Sequence, residues 1–306
     1  MKKIALLTIP LLLLTGCKNT TTKEIKILCP SGAPAFAFYN YTKSANFETS
    51  DNPNNIVASM TKASDKTIIV LPIDTGIKAI NNGAPYKLAA NITFGNFFLC
   101  STGHDANNQL DPGDKVVLFG QGMTPDRLFH YVYGNDYDEG VEYVTAAKDA
   151  AACLQKSKNM ATGSDIDYVF LAQPAVFGSL KVNENAKVYS NIQELYKEKS
   201  GGKELIQASI FIKNTLDYQT ALDFLPNIGG AINEVLEDPT IFTQKIEDTE
   251  EMQSLFGAKP QIATAVTKNG NGLGLGYKNA LANKDNIDAY LSLFSLEKTN
   301  EKIYFK

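Results

Sequence analysis

Short apolar runs alternate with longer amphipathic segments from residue 24 to about residue 214. Four runs, EIKIL, KTIIVLP, DKVVLFG and IDYVFLA, have the length of strands, and a segment with helical spacing of apolar positions follows each one. Further strand-like runs are YKLAANI, FFLCS, VEYVT, AKVYS and QASIFIKN. Strands that alternate with helices favour mostly parallel sheets joined by crossover helices. The pattern therefore predicts an α/β fold.

The order of these segments predicts two lobes with a cleft between them. After Thr215 the pattern becomes almost wholly helical, so this part of the chain must pack back on earlier elements. We expect a first lobe over 24–104, a second lobe over 105–214, and a mainly helical return to the first lobe over 215–306. A chain of 306 residues is long enough for two such lobes.

Four strand-to-helix junctions combine a proline with small or capping residues. They read CPSGAPA, LPIDTG, GQGMTPD and LAQPA. Proline is tolerated in a first helical turn because its missing N–H has no intrahelical partner there. Thr124 and Asp74 are residue types that favour the N-cap. Ligands of open α/β sheets bind beyond the carboxyl ends of the strands, so the junctions, two in each expected lobe, predict a binding cleft.

The composition of the junctions predicts a small ligand held largely by backbone groups. The residues expected to face it with backbone groups or a side-chain amide are Ser31, Gly32, Ala33, Gly122, Met123, Thr124 and Gln173. N–H groups at helix starts favour a carboxylate, sulfonate or phosphate-like oxygen. Asp74 would either accept from a ligand amine or cap its own helix, and we expect it to cap.

The N-terminus has the layout of a signal peptide. Lys2 and Lys3 precede an apolar run from Ile4 to Leu14, which is too short to span a bilayer. The sequence Leu-Thr-Gly-Cys that follows is similar to the lipobox of bacterial lipoproteins, in which the cysteine is acylated. We therefore expect a signal peptide over 1–16, a lipid on Cys17, a polar tether over 17–23, and anchoring to a membrane.

The net charge argues against one class of partner, and the cysteine content limits the possible disulfides. The net charge of −4 argues against nucleic acid as a partner, since there is no basic excess to neutralise phosphates. Cys29, Cys100 and Cys153 remain after Cys17, so at most one disulfide could form. Cys29 and Cys100 lie in apolar runs, where a buried free thiol is the expected state.

The order and spacing of several motifs resemble one family over most of the chain after the tether. SGAPAFAF, VLPIDTGIKAINNGAPYKLAANITFGNFFLCS, GQGMTPDRLFHYV, YVFLAQPAVFGSL, NIQELYKEKSGG, QASIFIKN and the IYFK tail carry the resemblance. Together they resemble the substrate-binding proteins of ABC importers, in the group related to nitrate, taurine, alkanesulfonate and thiamine-precursor binding. In that family an acidic residue more often stands where this chain has Gln173.

The resemblance implies a type II periplasmic-binding-protein fold that closes on its ligand by hinge motion. It implies a monomer on the extracytoplasmic face of the cell membrane that delivers a small organic solute, anionic or heteroaromatic, to an ABC permease without catalysis or a cofactor. Carried over by position, the binding residues are Ser31, Gly32, Ala33, Asp74, Asn96, Gly122, Met123, Thr124 and Gln173.

Three other functions stay open at this point. A metal-binding protein would need converging His and carboxylate ligands, and the chain has only His104 and His130. An enzyme would need a recognisable motif, but NGNGLGLGY, which imitates a dinucleotide loop, lies late in a helical region and predicts a turn or a bulged strand. A lipoprotein that senses its ligand and signals to a membrane partner would have the same sequence features as an importer.

Overall fold

The computed structural model describes residues 25–62, 64–104 and 109–306. The predicted signal peptide, Cys17 and the tether lie outside these residues. The strands are β1 (Ile27–Pro30), β2 (Phe47–Ser50), β3 (Ile68–Pro72), β4 (Tyr86–Thr93), β5 (Phe97–Ser101), β6 (Val116–Phe119), β7 (Val141–Val144), β8 (Tyr168–Ala172), β9 (Lys187–Asn191), β10 (Ala208–Lys213) and β11 (Leu275–Asn279).

The α-helices lie between these strands and after β10. They are α1 (Ala33–Phe36), α2 (Pro53–Thr61), α3 (Ile73–Asn81), α4 (Thr124–Tyr133), α5 (Ala147–Lys156), α6 (Ala175–Val182), α7 (Ile192–Lys199), α8 (Tyr218–Glu237), α9 (Ile241–Lys245), α10 (Glu250–Phe256), α11 (Pro260–Lys268) and α12 (Lys284–Leu291). Short 3-10 turns cover Tyr39–Tyr41, Asp138–Gly140, Ser292–Phe294 and Glu301–Ile303.

The strands form two sheets that share one topology. The first sheet has the order β11-β4-β10-β3-β1-β2, and the second has the order β7-β6-β8-β5-β9. In each sheet four strands run in the same direction, and the strand that arrives from the other sheet, β10 or β5, is inserted antiparallel between the third and the fourth. The predicted two-lobe α/β architecture with mostly parallel sheets is confirmed.

The chain changes sheets earlier than the expected boundaries at residues 104 and 214. Strand β5 pairs with β8 and β9 in the second sheet, and β10 pairs with β3 and β4 in the first. The first crossing segment is therefore 94–96, and the second is 205–207. Both inserted strands are apolar runs like their neighbours, and an apolar run does not show with which strand it pairs.

Two elements were not predicted, and one helix is shorter than expected. Strand β2 is a short edge strand parallel to β1. Helix α2 begins after Asn52, whose side chain accepts from the Asn54 N–H. The expected helix over 33–43 is divided into α1 and the 3-10 turn at Tyr39–Tyr41. Buried aromatic contacts of Phe36 with Phe242 and Phe256 hold this segment against the helical tail.

The helical tail packs on the first sheet and adds one strand to it. Strand β11 pairs antiparallel with β4, with a register shift between Leu275 and Lys278. The NGNGLGLGY segment thus ends in a bulged edge strand, one of the two outcomes that the sequence predicts, and has no strand-turn-helix context for a dinucleotide.

A hydrophobic core extends through both lobes. Apolar side chains from β3, α3, β5, β6, α4 and α12 belong to one continuous cluster, so the second lobe packs on the first and on the C-terminal helix. The cysteines Cys29, Cys100 and Cys153 are free and buried. Among the described residues no helix is long and apolar enough to span a bilayer.

Candidate functional site

All four predicted junctions lie where a strand ends and a helix begins. Ser31 and Gly32 connect β1 to α1, and β3 leads directly into α3, in which Asp74 is the second residue. In the second lobe, residues 120–123 connect β6 to α4, and Gln173 and Pro174 connect β8 to α6. The junctions therefore lie at the carboxyl ends of co-directional strands, where ligands of open α/β sheets bind.

Asn96 in the first crossing segment joins the junction before α6. Its Nδ2 donates to the Gln173 carbonyl at 2.8 Å, and the Gln173 N–H donates to the Asn96 carbonyl at 2.9 Å. Asn96 is 2% exposed. The first crossing segment is thus hydrogen-bonded directly to a helix start of the second lobe.

The Gln173 side chain is already engaged at the start of α6. Its Oε1 accepts from the Phe177 N–H at 3.0 Å, which satisfies one of the free donors of the first helical turn. Its Nε2 donates to none of the described residues. One half of the side-chain amide is therefore structural, and the Nε2 half is unpaired within the described residues.

In the glycine loop before α4, two of the N–H groups that the sequence predicts for a ligand have partners within the chain. The Gly122 N–H donates to Asp126 Oδ2 at 2.6 Å, and the Met123 N–H donates to the Gly120 carbonyl at 2.9 Å. Gly122 and Met123 are exposed, whereas Thr124 is buried. Met123 is the N-cap, and Thr124 is the first helical residue, so the expected capping by Thr124 is wrong.

Asp126 holds this loop, and sequence reasoning missed it. Besides the Gly122 N–H, its carboxylate accepts from the Tyr143 hydroxyl at 2.9 Å and lies 2.9 Å from Nδ1 of His130. The second ring nitrogen of His130 lies 2.9 Å from Asp138 Oδ1. An acidic residue in the first turn after Thr-Pro is a typical capping signal, and it could have identified Asp126.

The backbone amides of the first junction also have internal partners. The Ser31 N–H donates to the Ser50 carbonyl at 3.2 Å, and the Gly32 N–H donates to the Phe256 carbonyl at 3.0 Å. Gly32 has a φ of 95°, a conformation that favours glycine. Ala33 is buried in a hydrophobic core cluster together with residues of β1, β3, β10 and α8. Ser31 and Gly32 thus fasten the junction to β2 and α10.

Asp74 does not cap α3, contrary to expectation. The N-cap position is Pro72, and Asp74 lies in the first turn at 5% exposure. Oδ2 of Asp74 contacts the Thr75 hydroxyl at 3.3 Å and Lys78 Nζ at 3.6 Å, whereas Oδ1 has no partner among the described residues. Burial raises the pKa of this carboxyl, and the Lys78 charge opposes that shift.

Tyr290 of α12 is influenced by Asp74 of the first lobe and Thr124 of the second. Its hydroxyl is fully buried, and burial raises its pKa well above the usual value, with a further increase from the Asp74 charge. Thr124 lies close enough to lower this pKa, but not at the geometry of a full hydrogen bond. Groups at the α3 and α4 starts therefore both influence one buried side chain of α12.

Gln193 of α7 connects the two crossing segments. With its amide oriented to satisfy both groups, Nε2 donates to the Phe94 carbonyl at 2.7 Å and Oε1 accepts from the Leu205 N–H at 3.3 Å. A Cβ on Gly95 would meet the Gln193 side chain, and a Cβ on Gly274 would lie 2.3 Å from the Gly95 carbonyl. Gly95 of the first crossing segment is thus approached closely by the Gln193 side chain and by the backbone at Gly274.

Several polar atoms near the crossing segments are buried without a hydrogen-bond partner among the described residues. They are Thr93 Oγ1, Asn96 Oδ1, Gln207 Oε1 and Thr267 Oγ1. The Gln207 N–H donates to the Thr93 carbonyl, and Thr93 pairs with Leu275 of β11. Asn271 is hydrogen-bonded both to Leu275 and to the Thr267 carbonyl. Buried polar atoms are rarely left without partners, so these oxygens mark a candidate subsite.

One exposed ion pair joins the two lobes, since Asp51 of the first lobe and Lys148 of the second approach to 4.0 Å and both side chains are exposed.

Two surface depressions lie away from the junctions. One of about 400 Å³ is lined by residues of α4 and α7, and one of about 510 Å³ follows α2. No cluster of metal-ligating side chains occurs in the described ranges. His104 is exposed, and His130 pairs with the two carboxylates Asp126 and Asp138.

Solved structures with this fold include binding components of ABC importers. An ABC transporter structure from Parabacteroides distasonis matches with a TM-score of 0.70 and 18% identity over 89% of this chain and 92% of that chain. The alkanesulfonate-binding protein SsuA from Xanthomonas axonopodis pv. citri, bound to MOPS, matches with a TM-score of 0.60 and 10% identity over 88% and 92%.

A third match is the ligand-binding component of an ABC-type import system from Staphylococcus aureus with zinc bound. It has a TM-score of 0.59 and 12% identity over 92% of this chain and 96% of that chain. No protein-family model and no curated protein matches the sequence. At these identities the similarity establishes the periplasmic-binding-protein fold.

Proposed function

We propose that this chain is a membrane-anchored solute-binding protein of an ABC importer. It binds a small organic solute between its lobes and delivers it to a permease in the same membrane. The mechanism is binding alone, because the ligand stabilises the closed arrangement of the lobes and the permease recognises that arrangement. The chain acts as a monomer, and no bond of the solute is made or broken.

One observation carries the proposal. Two sheets, each with four co-directional strands and one inserted strand in the same order, place two helix starts each at their carboxyl ends. Gln173, before one of these helices, is hydrogen-bonded to Asn96 of the crossing segment between the lobes. A cleft between two lobes is a typical ligand site. Structures with the same fold, one of them bound to MOPS, support this function.

The anchoring step rests on the N-terminal sequence. The apolar run and the Leu-Thr-Gly-Cys motif support cleavage before Cys17 and attachment of a lipid there. A lipid on Cys17 would keep the folded body at the extracytoplasmic face of the membrane. We expect Cys17→Ser to move the protein from the membrane fraction to the soluble fraction or to leave an uncleaved precursor, whereas a chain that remains processed and lipid-bound would contradict this step.

A thermal-shift screen tests the binding function. The chain beginning at Lys18 would be screened with sulfonates, nitrate, aromatic carboxylates, aminopyrimidines, nucleosides and divalent metals. A ligand at 100 times its Kd adds about 2.7 kcal/mol, which raises Tm by roughly 5–10 °C for a chain of this size. A shift with one organic class supports the proposal. A shift confined to a divalent metal and reversed by a chelator would contradict it.

A further inference from the structure

Four of the junction N–H groups that the sequence offers to a ligand already have partners within the chain. The N–H groups of Ser31, Gly32, Gly122 and Met123 all donate to internal acceptors. These four amides cannot also bind an anionic oxygen in this arrangement of the loops. Gln173 Nε2 is still an unpaired donor, but the buried side-chain atoms without a partner among the described residues are all oxygens.

Asn96 Oδ1 is the best-defined of these oxygens. The orientation of the Asn96 amide is fixed, because its Nδ2 donates to the Gln173 carbonyl and a reversed amide would place two oxygens together. Oδ1 is then a pure acceptor, buried in a residue of 2% exposure and without a partner in the described chain. A buried acceptor without a donor costs about 1–3 kcal/mol, so the site favours a ligand that supplies one.

The other unpartnered oxygens extend the same preference. Gln207 Oε1 lies in the second crossing segment, and the hydroxyls of Thr93 and Thr267 lie near the start of β11. Asp74 Oδ1 adds a carboxylate oxygen at the α3 start, in a side chain at 5% exposure. Amide and carboxylate oxygens only accept hydrogen bonds, and hydroxyl oxygens can also accept them.

We propose that the solute presents N–H donors, as an amine, an amidine or a ring N–H, to the Asn96 side-chain oxygen in the first crossing segment. This inference rests on the proposed function and names the class of its cargo. Asn96 is then a specificity-determining residue, because a solute that carries only acceptor oxygens leaves Asn96 Oδ1 unpaired and is bound less tightly.

The test is retention of solute from a natural mixture. The chain beginning at Lys18 would be incubated with the small-molecule fraction of yeast extract, exchanged into buffer and denatured, and the released solutes would be identified by mass spectrometry. The retained solute would then be titrated calorimetrically into the wild-type chain, Asn96→Leu and Asn96→Asp. Leu removes the acceptor and the Nδ2 donor, whereas Asp keeps the acceptor and replaces the donor with a second, negatively charged oxygen that faces the Gln173 carbonyl.

We expect a retained solute with N–H groups, a loss of affinity of about tenfold or more in Asn96→Leu, and binding preserved in Asn96→Asp. Equal losses in both variants would show that Asn96 matters only through its bond to Gln173 and would overturn the inference. A retained anion without N–H groups would also overturn it while supporting the binding function. Wild-type protein that retains nothing would count against the proposed function itself.

Matched probes check the polarity independently. Benzamidine is compared with benzoate, and taurine with ethanesulfonate, in the same thermal-shift assay. The inference expects the N–H-bearing member of at least one pair to shift Tm more than its partner does. A larger shift with the anion that lacks N–H groups, in both pairs, would contradict it.

Discussion

Asn96 and Gln173 exchange two hydrogen bonds, of 2.8 and 2.9 Å, between the first crossing segment and the start of α6. Gln173 also uses its side chain to accept from Phe177 inside that helix. Gln173 therefore contacts the first crossing segment through its backbone and the start of α6 through its side chain, and a substitution alters only the second of these contacts.

Gln173→Leu should destabilise the chain by about 0.5–2 kcal/mol, because it removes the acceptor for the Phe177 N–H at a helix start. Gln173→Glu keeps an acceptor at this position and places a negative charge near a helix N-terminus, so its stability should stay close to wild type. Urea denaturation of both variants measures the difference. Equal destabilisation by Leu and Glu would exclude a capping role.

Gly274→Ala should be more costly than another glycine substitution with a similar backbone. Gly274 has a φ of +65° and would place a Cβ 2.3 Å from the Gly95 carbonyl, whereas Gly201 has a φ of +71° and open space around it. Gly201→Ala should cost about 1–2 kcal/mol from backbone strain, and Gly274→Ala about 1–3 kcal/mol more from overpacking. Equal urea midpoints would show that Gly274 and the first crossing segment can move apart without cost.

Asp126→Ala should loosen the glycine loop before α4. It removes the acceptor of the Gly122 N–H and of the Tyr143 hydroxyl, and we expect a loss of about 2–3 kcal/mol in unfolding free energy. Tyr143→Phe removes one of these bonds from a more exposed side chain and should cost about 1 kcal/mol or less. Amide hydrogen exchange at Gly122 should rise in Asp126→Ala and stay near wild type in Tyr143→Phe. Unchanged exchange in both variants would show that the loop is held by other contacts.

Asp74 should make the chain less stable as pH rises through the acid range. Burial raises the pKa of the Asp74 carboxyl in the folded chain above its usual value of 3.8, so the folded state binds this proton more tightly than the unfolded state does. This contribution is fully present below about pH 3.8 and is lost as pH rises through the folded pKa.

Asp74→Asn removes the charge and keeps the shape. The variant should therefore gain stability over wild type at pH 7 and lose that gain toward pH 4, as measured by urea midpoints across the range. Asp65→Asn is the control, because Asp65 is exposed and Lys26 lowers its pKa, which predicts the opposite trend. A pH-independent difference between wild type and Asp74→Asn would contradict the predicted shift.

Hydrophobic patterning predicted most strands and helices of this chain. The runs that became β3, β6 and β8 are almost continuously apolar, and such runs are buried whichever sheet contains them. The edge strand β2 reads FETS, in which only Phe47 is apolar, and local pattern could not reveal it.

The sequence by itself determined the alternation of strands and helices, the four junctions and the positions of the proline-marked helix starts, because these depend on local periodicity and backbone chemistry. Only the tertiary structure decided that β5 and β10 are exchanged between the sheets, since pairing joins residues far apart in the chain. It also decided which junction amides stay free. Asp126 and Phe256 occupy the amides of Gly122 and Gly32, and a residue's free hydrogen-bonding capacity depends on every group that folding brings beside it.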